Sequence, residues 1–196
     1  LFGVGIKAQR FPQAVLPGDY LDPSILRDGK NYYMTHSPFY YAPGFLIWHS
    51  TDLIHWEPVC RALPEYEGSA MAPDLLKYQG RYYIYYPTST GENFVIYADN
   101  IRGPWSKPVK LDVKGIDPGH VVGEDGKRYL FTNNGWITPL SDDGLKVTGK
   151  SRKVYDGWEY PANWVTEGKD MYLESPKLLY KDGYYYMMSA EGGTAG

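Results

Sequence analysis

Residues 22–32, Asp22-Pro-Ser-Ile-Leu-Arg-Asp-Gly-Lys-Asn-Tyr32, carry a pattern that recurs in three later parts of the chain. Most copies contain an acidic residue, a short apolar run, a glycine turn and an aromatic segment. The later copies begin Ala72-Pro-Asp-Leu-Leu-Lys-Tyr, Asp117-Pro-Gly-His-Val-Val-Gly and Glu174-Ser-Pro-Lys-Leu-Leu-Tyr. Three of the four copies open on a carboxylate. A fold that stacks the copies at equivalent positions would therefore gather these acids.

The turn glycines measure the length of the repeat. They are Gly29, Gly80, Gly126 and Gly183. Repeats of about 40–50 residues that hold several strands are typical of propeller blades. The separators are rich in glycine, proline, aspartate and asparagine, and no segment has a convincing helical period. The sequence therefore predicts an all-β fold, a β-propeller built from these units.

The first two units each divide into four predicted strands. In unit one they are Pro23–Leu26, Tyr32–Ser37, Phe45–Ser50 and Trp56–Val59. In unit two they are Leu75–Tyr78, Arg81–Pro87, Phe94–Ala98 and Trp105–Val109. In both units a polar turn leads into a fourth strand that begins at tryptophan, for which we expect packing between blades.

The whole chain is interpreted as one propeller domain, residues 1–196. The predicted blades span about 15–63, 64–112 and 113–165, with the start of a fourth blade at about 166–196. This amounts to about three and a half blades. Because an open propeller exposes sheet edges, we expect further chain to complete the domain.

The composition excludes several classes of function. A net charge of −3 without a basic stripe argues against nucleic acid as a partner. No apolar run approaches the ~20 residues that cross a bilayer, which argues against a membrane span. Twenty tyrosines and six tryptophans exceed the needs of a core and suit a sugar-binding cleft.

The ordered motifs resemble glycoside hydrolase family 43. They are Asp22-Pro-Ser-Ile, Ser37-Pro-Phe-Tyr-Tyr-Ala-Pro-Gly44, Ala72-Pro-Asp74, Gly115-Ile-Asp-Pro118, Glu174-Ser-Pro-Lys177 and Ser189-Ala-Glu-Gly-Gly-Thr194. The resemblance implies a five-bladed β-propeller and an inverting glycosidase. Two positions depart from the family pattern. Met71 stands where tryptophan is frequent, and Ser175 stands where glycine is frequent.

The resemblance also implies the roles of three acids. Asp22 matches the general base, Glu174 the general acid, and Asp117 the residue that orients the acid and tunes its pKa. Inversion needs an acid and a base on opposite faces of the sugar, roughly 6.5–9.5 Å apart, so that a water molecule fits beside the ring. These residues are remote in sequence, and a propeller would bring them to one axial opening.

Five further residues are candidates for binding the sugar: Phe39, Met71, Asp74, Trp136 and His120. Phe39 matches an aromatic position of the family pocket. Asp74 is either near the substrate or part of the blade scaffold. His120 and Trp136 each have an alternative structural role, as a hydrogen-bonding residue and as a packing residue. Glu191–Thr194 is expected to line the rim of the pocket, where glycine allows close approach of a ligand.

We expect an exo-acting inverting enzyme that releases xylose or arabinofuranose from plant oligosaccharides or polysaccharides. An endo-arabinanase of the same family, a non-catalytic carbohydrate-binding propeller and a retaining fructan-cleaving enzyme are the alternatives. No cofactor is expected to be required, and a structural calcium ion in the channel is left open. No metal-ligand spacing stands out in the sequence. Secretion or a periplasmic location is favoured over the cytoplasm.

Overall fold

A computed structural model describes residues 14–66, 68–157 and 173–191. These residues form three four-stranded antiparallel sheets and one two-stranded antiparallel sheet. In each four-stranded sheet the strands follow one another in chain order, so each sheet is a simple meander. We refer to the four sheets as blades one to four. Within the described residues no helix is long and apolar enough to cross a membrane.

Each blade is a consecutive segment of the chain. Blade one contains β1 (Ser24–Asp28), β2 (Asn31–Thr35), β3 (Gly44–Ser50) and β4 (Glu57–Leu63). Blade two contains β5 (Asp74–Tyr78), β6 (Arg81–Pro87), β7 (Asn93–Ala98) and β8 (Val109–Leu111). Blade three contains β9 (Gly119–Val122), β10 (Arg128–Thr132), β11 (Trp136–Leu140) and β12 (Arg152–Lys153), with a 3₁₀ turn at Asn133–Gly135. Blade four contains β13 (Leu173–Lys181) and β14 (Tyr184–Glu191).

The first strands of successive blades are neighbours, β1 beside β5, β5 beside β9 and β9 beside β13. Side chains from one blade bond to the backbone of the next. Ser24 Oγ accepts the backbone N–H of Leu75 at 2.9 Å, and Asp74 Oδ2 accepts that of His120 at 2.8 Å. Sheets that meet through their first strands are arranged radially, as in a β-propeller. The first strands all begin at the same end of the molecule, which we call the site face.

Strand β6 shows why blade two is buried on both sides. Its side chains alternate, because successive residues of a strand point to opposite faces of the sheet. Tyr82, Ile84 and Tyr86 join the core between blades one and two, which also contains Phe45, Ile47, Ala62, Leu63, Leu75 and Ile96. Tyr83 and Tyr85 join the core between blades two and three, with Val95, Leu111, Val113, Leu130 and Leu140. The tyrosine-rich sequence therefore fills the seams between blades.

The glycine turns close the hairpins between first and second strands. Gln79 and Gly80 both have positive φ, 48° and 84°, and Asp182 and Gly183 repeat this with 53° and 83°. Two consecutive residues with positive φ match a type I′ turn, whose twist suits a two-residue hairpin. The repeat seen in the sequence is therefore a hairpin repeat.

The observed strands agree with the predicted ones within a few residues, with one exception. β8 is Val109–Leu111, whereas the sequence predicted a strand from Trp105 to Val109. Pro108 has no backbone N–H to give to a ladder, so pairing begins only after it. Trp105 is half-buried and packs against the core between blades one and two, as expected for that indole. Its Nε1 donates to the carbonyl of Ile101 at 3.2 Å.

Ile84→Ala tests the seam between blades one and two. Ile84 is fully buried in that core, so the truncation should lower the free energy of unfolding by about 2–5 kcal/mol. Ile25→Ala is the matched control, because Ile25 lies in β1 and is 53% exposed. Chemical denaturation of the two variants measures the difference. If both variants lowered the free energy of unfolding equally, Ile84 would not be part of a core between the blades.

Candidate active site

A proline lies at the first strand of every blade: directly before the strand in blades one to three, and within β13, at Pro176, in blade four. The residue before the proline has positive φ in all four blades: Asp22 at 50°, Ala72 at 41°, Asp117 at 57° and Ser175 at 50°. Positive φ is uncommon for residues other than glycine and concentrates at functional sites. These four residues are structurally equivalent, and Glu174 lies one position earlier. The expectation that all three acids occupy equivalent positions is therefore wrong for Glu174.

The offset of Glu174 arises from an irregularity in β13. Glu174 pairs with Ala190 of β14, but the register shifts between Glu174 and Lys177, as in a β-bulge. A bulge redirects a side chain and is frequent beside active sites. The carbonyl of Glu174 also accepts a hydrogen bond from Ser189 Oγ at 2.9 Å.

Asp22 lies at the site face, exposed, with its carboxylate tied to blade one. Ser37 Oγ donates a short hydrogen bond to Asp22 Oδ2. The same Oγ accepts the backbone N–H of Ala72 at 2.7 Å, and the backbone N–H of Ser37 donates to Leu21 O at 2.9 Å. Ser37 thus links the Asp22 turn to the equivalent turn of blade two. This linkage orients Asp22 while leaving it accessible to solvent.

Asp117 is the most buried of the three acids, with 9% of the residue exposed. Its Oδ2 accepts the backbone N–H of Ser175 at 3.1 Å. Burial raises the pKa of Asp117, and the negative charge of Asp22 raises it further. The Ser175 amide opposes both effects, because a hydrogen bond to the carboxylate favours the ionised form.

Glu174 is half-buried, and its pKa is raised above the usual value. Burial is the largest cause, followed by the negative charges of Asp117 and then of Asp22. Glu174 also precedes Ser175, whose amide binds the Asp117 carboxylate at 3.1 Å, so the acids of blades three and four are neighbours. A carboxyl group with a raised pKa can keep its proton at higher pH and act as an acid.

Asp74 is buried between blades rather than exposed at the site face. Only 8% of the residue is accessible. Besides its bond to the His120 amide, its Oδ1 accepts a hydrogen bond from Lys177 Nζ at 2.8 Å. The same ammonium group donates to Pro118 O at 2.9 Å. Sequence reasoning missed Lys177; the signal for it was a lysine that follows the Glu174-Ser-Pro motif directly.

The ring of His120 lies in the seam between blades two and three. Its Nε2 accepts a hydrogen bond from Arg128 Nε at 2.9 Å, and the ring stacks on Tyr85 with centroids 5.9 Å apart. Burial and, to a smaller extent, the positive charge of Arg128 lower the pKa of His120 to about 4. The imidazole is therefore neutral near pH 7, with its proton on Nδ1.

Arg128 is a second residue that the sequence analysis missed. It is 1% exposed, and its guanidinium lies 4.5 Å from the ring centroid of Tyr78 and 4.4 Å from that of Tyr83. Its NH2 group donates to the hydroxyl of Tyr85 at 3.0 Å. Aromatic faces and hydrogen bonds compensate the buried cation. Arg128 therefore helps to hold the blade that carries Asp117.

Of the remaining sugar-binding candidates, Phe39 and Met71 lie on loops and Trp136 lies in a strand. Phe39 has positive φ, is half-buried and donates its backbone N–H to Ala70 O at 2.9 Å. Met71 follows Ala70 and is also half-buried, so Phe39 and Met71 are on contacting loops of blades one and two. Trp136 is half-buried and starts β11, opposite Lys153. Of the predicted rim, Gly192–Thr194 lies outside the described residues.

Among the described residues, no group of three or more histidine, cysteine, aspartate or glutamate side chains is arranged to hold a metal ion.

Comparison with known proteins extends this description. The model of the glycosyl hydrolases family 43 matches residues 11–196. A xylosidase/arabinosidase of Butyrivibrio fibrisolvens is 33% identical over 92% of this chain and 38% of its own length. A non-reducing end alpha-L-arabinofuranosidase of Bacteroides ovatus is 30% identical over 97% of this chain and 38% of its own length. The chain thus spans about 38% of the length of these relatives.

A solved structure agrees in fold. The crystal structure of a GH43 protein from Bacillus licheniformis matches with a TM-score of 0.78 and 35% identity. The match covers 92% of this chain and 38% of that one. The predicted all-β, five-bladed propeller, with about three and a half blades in this chain, is confirmed.

Asp117→Asn tests the electrostatic coupling of the acids. Removal of the Asp117 charge makes ionisation of Glu174 easier, so the pKa of Glu174 should fall while staying above its usual value because burial persists. Carbon-13 NMR titration of the Glu174 carboxyl measures the change. Asp99→Asn, at an exposed turn of blade two, is the control and should leave this pKa unaltered. A Glu174 pKa that did not respond to Asp117→Asn would refute the coupling.

Proposed function

The chain belongs to the glycosyl hydrolases family 43, and from this premise we propose that its protein is an exo-acting inverting glycoside hydrolase. The proposed substrates are oligosaccharides or polysaccharides of plant origin that carry terminal xylose or arabinofuranose units. The observation that carries the proposal is the hydrogen bond from the Ser175 amide to Asp117 Oδ2 at 3.1 Å, which brings Asp117 of blade three beside Glu174 of blade four, on the face where Ser37 holds Asp22 of blade one.

Glu174 acts as the general acid in this proposal. Its raised pKa keeps a proton available for the oxygen of the glycosidic bond. As the bond between that oxygen and the anomeric carbon breaks, the proton of Glu174 passes to the oxygen. The leaving group then departs as a neutral alcohol, and Glu174 becomes a carboxylate.

Asp22 acts as the general base. Its exposed carboxylate is oriented by Ser37 and accepts a proton from a water molecule. The oxygen of that water bonds to the anomeric carbon on the face opposite the leaving group, so the product has the inverted configuration. Exchange with solvent then removes the proton from Asp22 and returns one to Glu174.

Asp117 supports the acid in two ways. Its carboxylate binds the amide of Ser175, the neighbour of Glu174, which orients the segment that carries the acid. Its negative charge raises the pKa of Glu174. The proposed reaction needs only these carboxyl groups and water, without a cofactor.

Exo action and a pentose substrate are supported by the site and by the relatives. Phe39 and Met71 lie on contacting loops at the site face, where they would form an apolar wall for one terminal sugar. The relatives described above are named for xylosidase and arabinosidase or arabinofuranosidase activity. We propose a secreted or periplasmic location, since the polysaccharides among the proposed substrates do not cross a cell membrane.

Glu174→Gln tests the assignment of the acid. Turnover of an unactivated pentoside should fall by ~10²–10⁴-fold, because glutamine cannot supply the proton, while binding of the sugar is retained. Glu57→Gln is the matched control, since Glu57 is exposed at the start of β4, at the end opposite the site face. Steady-state kinetics and calorimetric binding separate the two effects. Unaltered turnover in Glu174→Gln would rule out Glu174 as the acid.

The stereochemistry of the product is a second test. Proton NMR recorded during hydrolysis should show first the anomer opposite to that of the substrate, before mutarotation. Initial release of the retained anomer would overturn the inverting mechanism and favour a retaining enzyme. Binding without any hydrolysis by the complete protein would favour a carbohydrate-binding propeller.

A further inference from the structure

Among the described residues, the stretch that follows Glu174, residues 175–177, is hydrogen-bonded to the neighbouring blades at two points. At one point the Ser175 amide donates to the Asp117 carboxylate at 3.1 Å. At the other, Lys177 Nζ donates to Asp74 Oδ1 at 2.8 Å and to Pro118 O at 2.9 Å. The register shift of β13 lies between Glu174 and Lys177. Both attachments therefore act on the irregular part of the strand, where ladder hydrogen bonds do not hold it.

The Lys177–Asp74 contact is a well-defined ion pair. The side chain of Asp74 is 12% exposed and that of Lys177 is 35% exposed. Asp74 is also fixed on its other oxygen by the His120 amide at 2.8 Å. One carboxylate of blade two thus receives a backbone donor from blade three and a cation from blade four. An exposed surface pair has neither the burial nor the second donor.

The backbones of blades three and four approach each other closely beside the Lys177–Asp74 pair. A Cβ atom on Gly119 would come within 1.8 Å of the carbonyl oxygen of Pro176. Blade four therefore packs directly on the backbone of blade three, next to Lys177. Loss of the ion pair would let the bulge move away from this contact and carry Glu174 with it.

We propose that Lys177 and Asp74 are a positioning pair, which holds the bulge of β13 so that the Glu174 carboxyl meets the glycosidic oxygen. The proposal rests on the proposed function of Glu174 as the general acid. It assigns Asp74 to positioning instead of sugar binding, and it gives Lys177 a role through Glu174 without contact to substrate.

Lys177→Met in the complete protein tests the pair with two substrates that differ only in leaving group. The leaving group of a dinitrophenyl pentoside, dinitrophenolate, departs without protonation. The leaving group of the matching disaccharide, a sugar, needs a proton from the acid. For the disaccharide, kcat should fall by about 10–100-fold, because misplacement of a catalytic group by ~1 Å can cost 10²-fold. For the dinitrophenyl pentoside, kcat should match that of the control, and KM should change little for either substrate.

Lys77→Met is the matched control. Lys77 Nζ lies 2.7 Å from Asp28 Oδ2, also between blades, and its side chain is 33% exposed. This pair lies near the turns at the end opposite the site face. Its loss should affect both substrates equally. The same result in Lys177→Met, or a rise in KM for both substrates, would overturn the positioning role.

Two further variants keep the test decisive. Asp74→Asn retains an acceptor for the His120 amide and should show the same dependence on leaving group if Lys177→Met fails to fold. The double variant should lose no more activity than Lys177→Met alone, because residues of one pair are not additive. Glu174→Gln, measured in parallel, must itself depend on the leaving group. If the activity of Glu174→Gln does not depend on the leaving group, the proposed function fails. If Glu174→Gln depends on the leaving group but Lys177→Met and Asp74→Asn do not, only the positioning pair is refuted.

Discussion

The hydrogen bond from the Ser175 amide to the Asp117 carboxylate is the contact on which the site depends. It joins the first strand of blade four to the turn that opens blade three. The bond requires the two first strands to approach closely, and Gly119 permits this because it has no Cβ to meet the Pro176 carbonyl. Backbone packing between blades therefore sets where Glu174 stands relative to Asp117.

The electrostatics of the site follow from this packing. Burial raises the pKa of both Asp117 and Glu174; the charge of Asp22 adds to the effect on Asp117, and the charges of Asp117 and Asp22 add to the effect on Glu174. The donors differ between them. Asp22 accepts a hydrogen bond from the Ser37 hydroxyl, and Asp117 accepts one from the Ser175 amide, which favours the charged form of Asp117. Three carboxyl groups are thereby given different environments within one cleft, the condition for dividing acid and base roles.

The sequence predicted the blades because their signals are local. Aromatic strands, proline turns and glycine hairpins are each set by neighbouring residues in the chain, and the structure places all but one of the predicted strands within a few residues of the prediction. The prediction for β8 was wrong. It started the strand at Trp105 by analogy with Trp56, but Pro108 has no N–H to donate to the ladder, so the strand begins after it. The offset of Glu174 is visible in the sequence, where Ser175 separates the acid from its proline, but the β-bulge that accompanies it is not, because a bulge depends on the partner strand that it opposes.

Lys177 and Arg128 show the same limit for the site. Each binds residues that are far away in the chain, Asp74 for Lys177 and Tyr78, Tyr83 and Tyr85 for Arg128. By itself the sequence determined the repeat and the all-β architecture and identified the three candidate acids, because these depend on the spacing and type of residues along the chain. Only the tertiary structure decided which groups surround each acid and how deeply it is buried. Partners and burial arise from contacts between blades, and these exist only once the chain has folded.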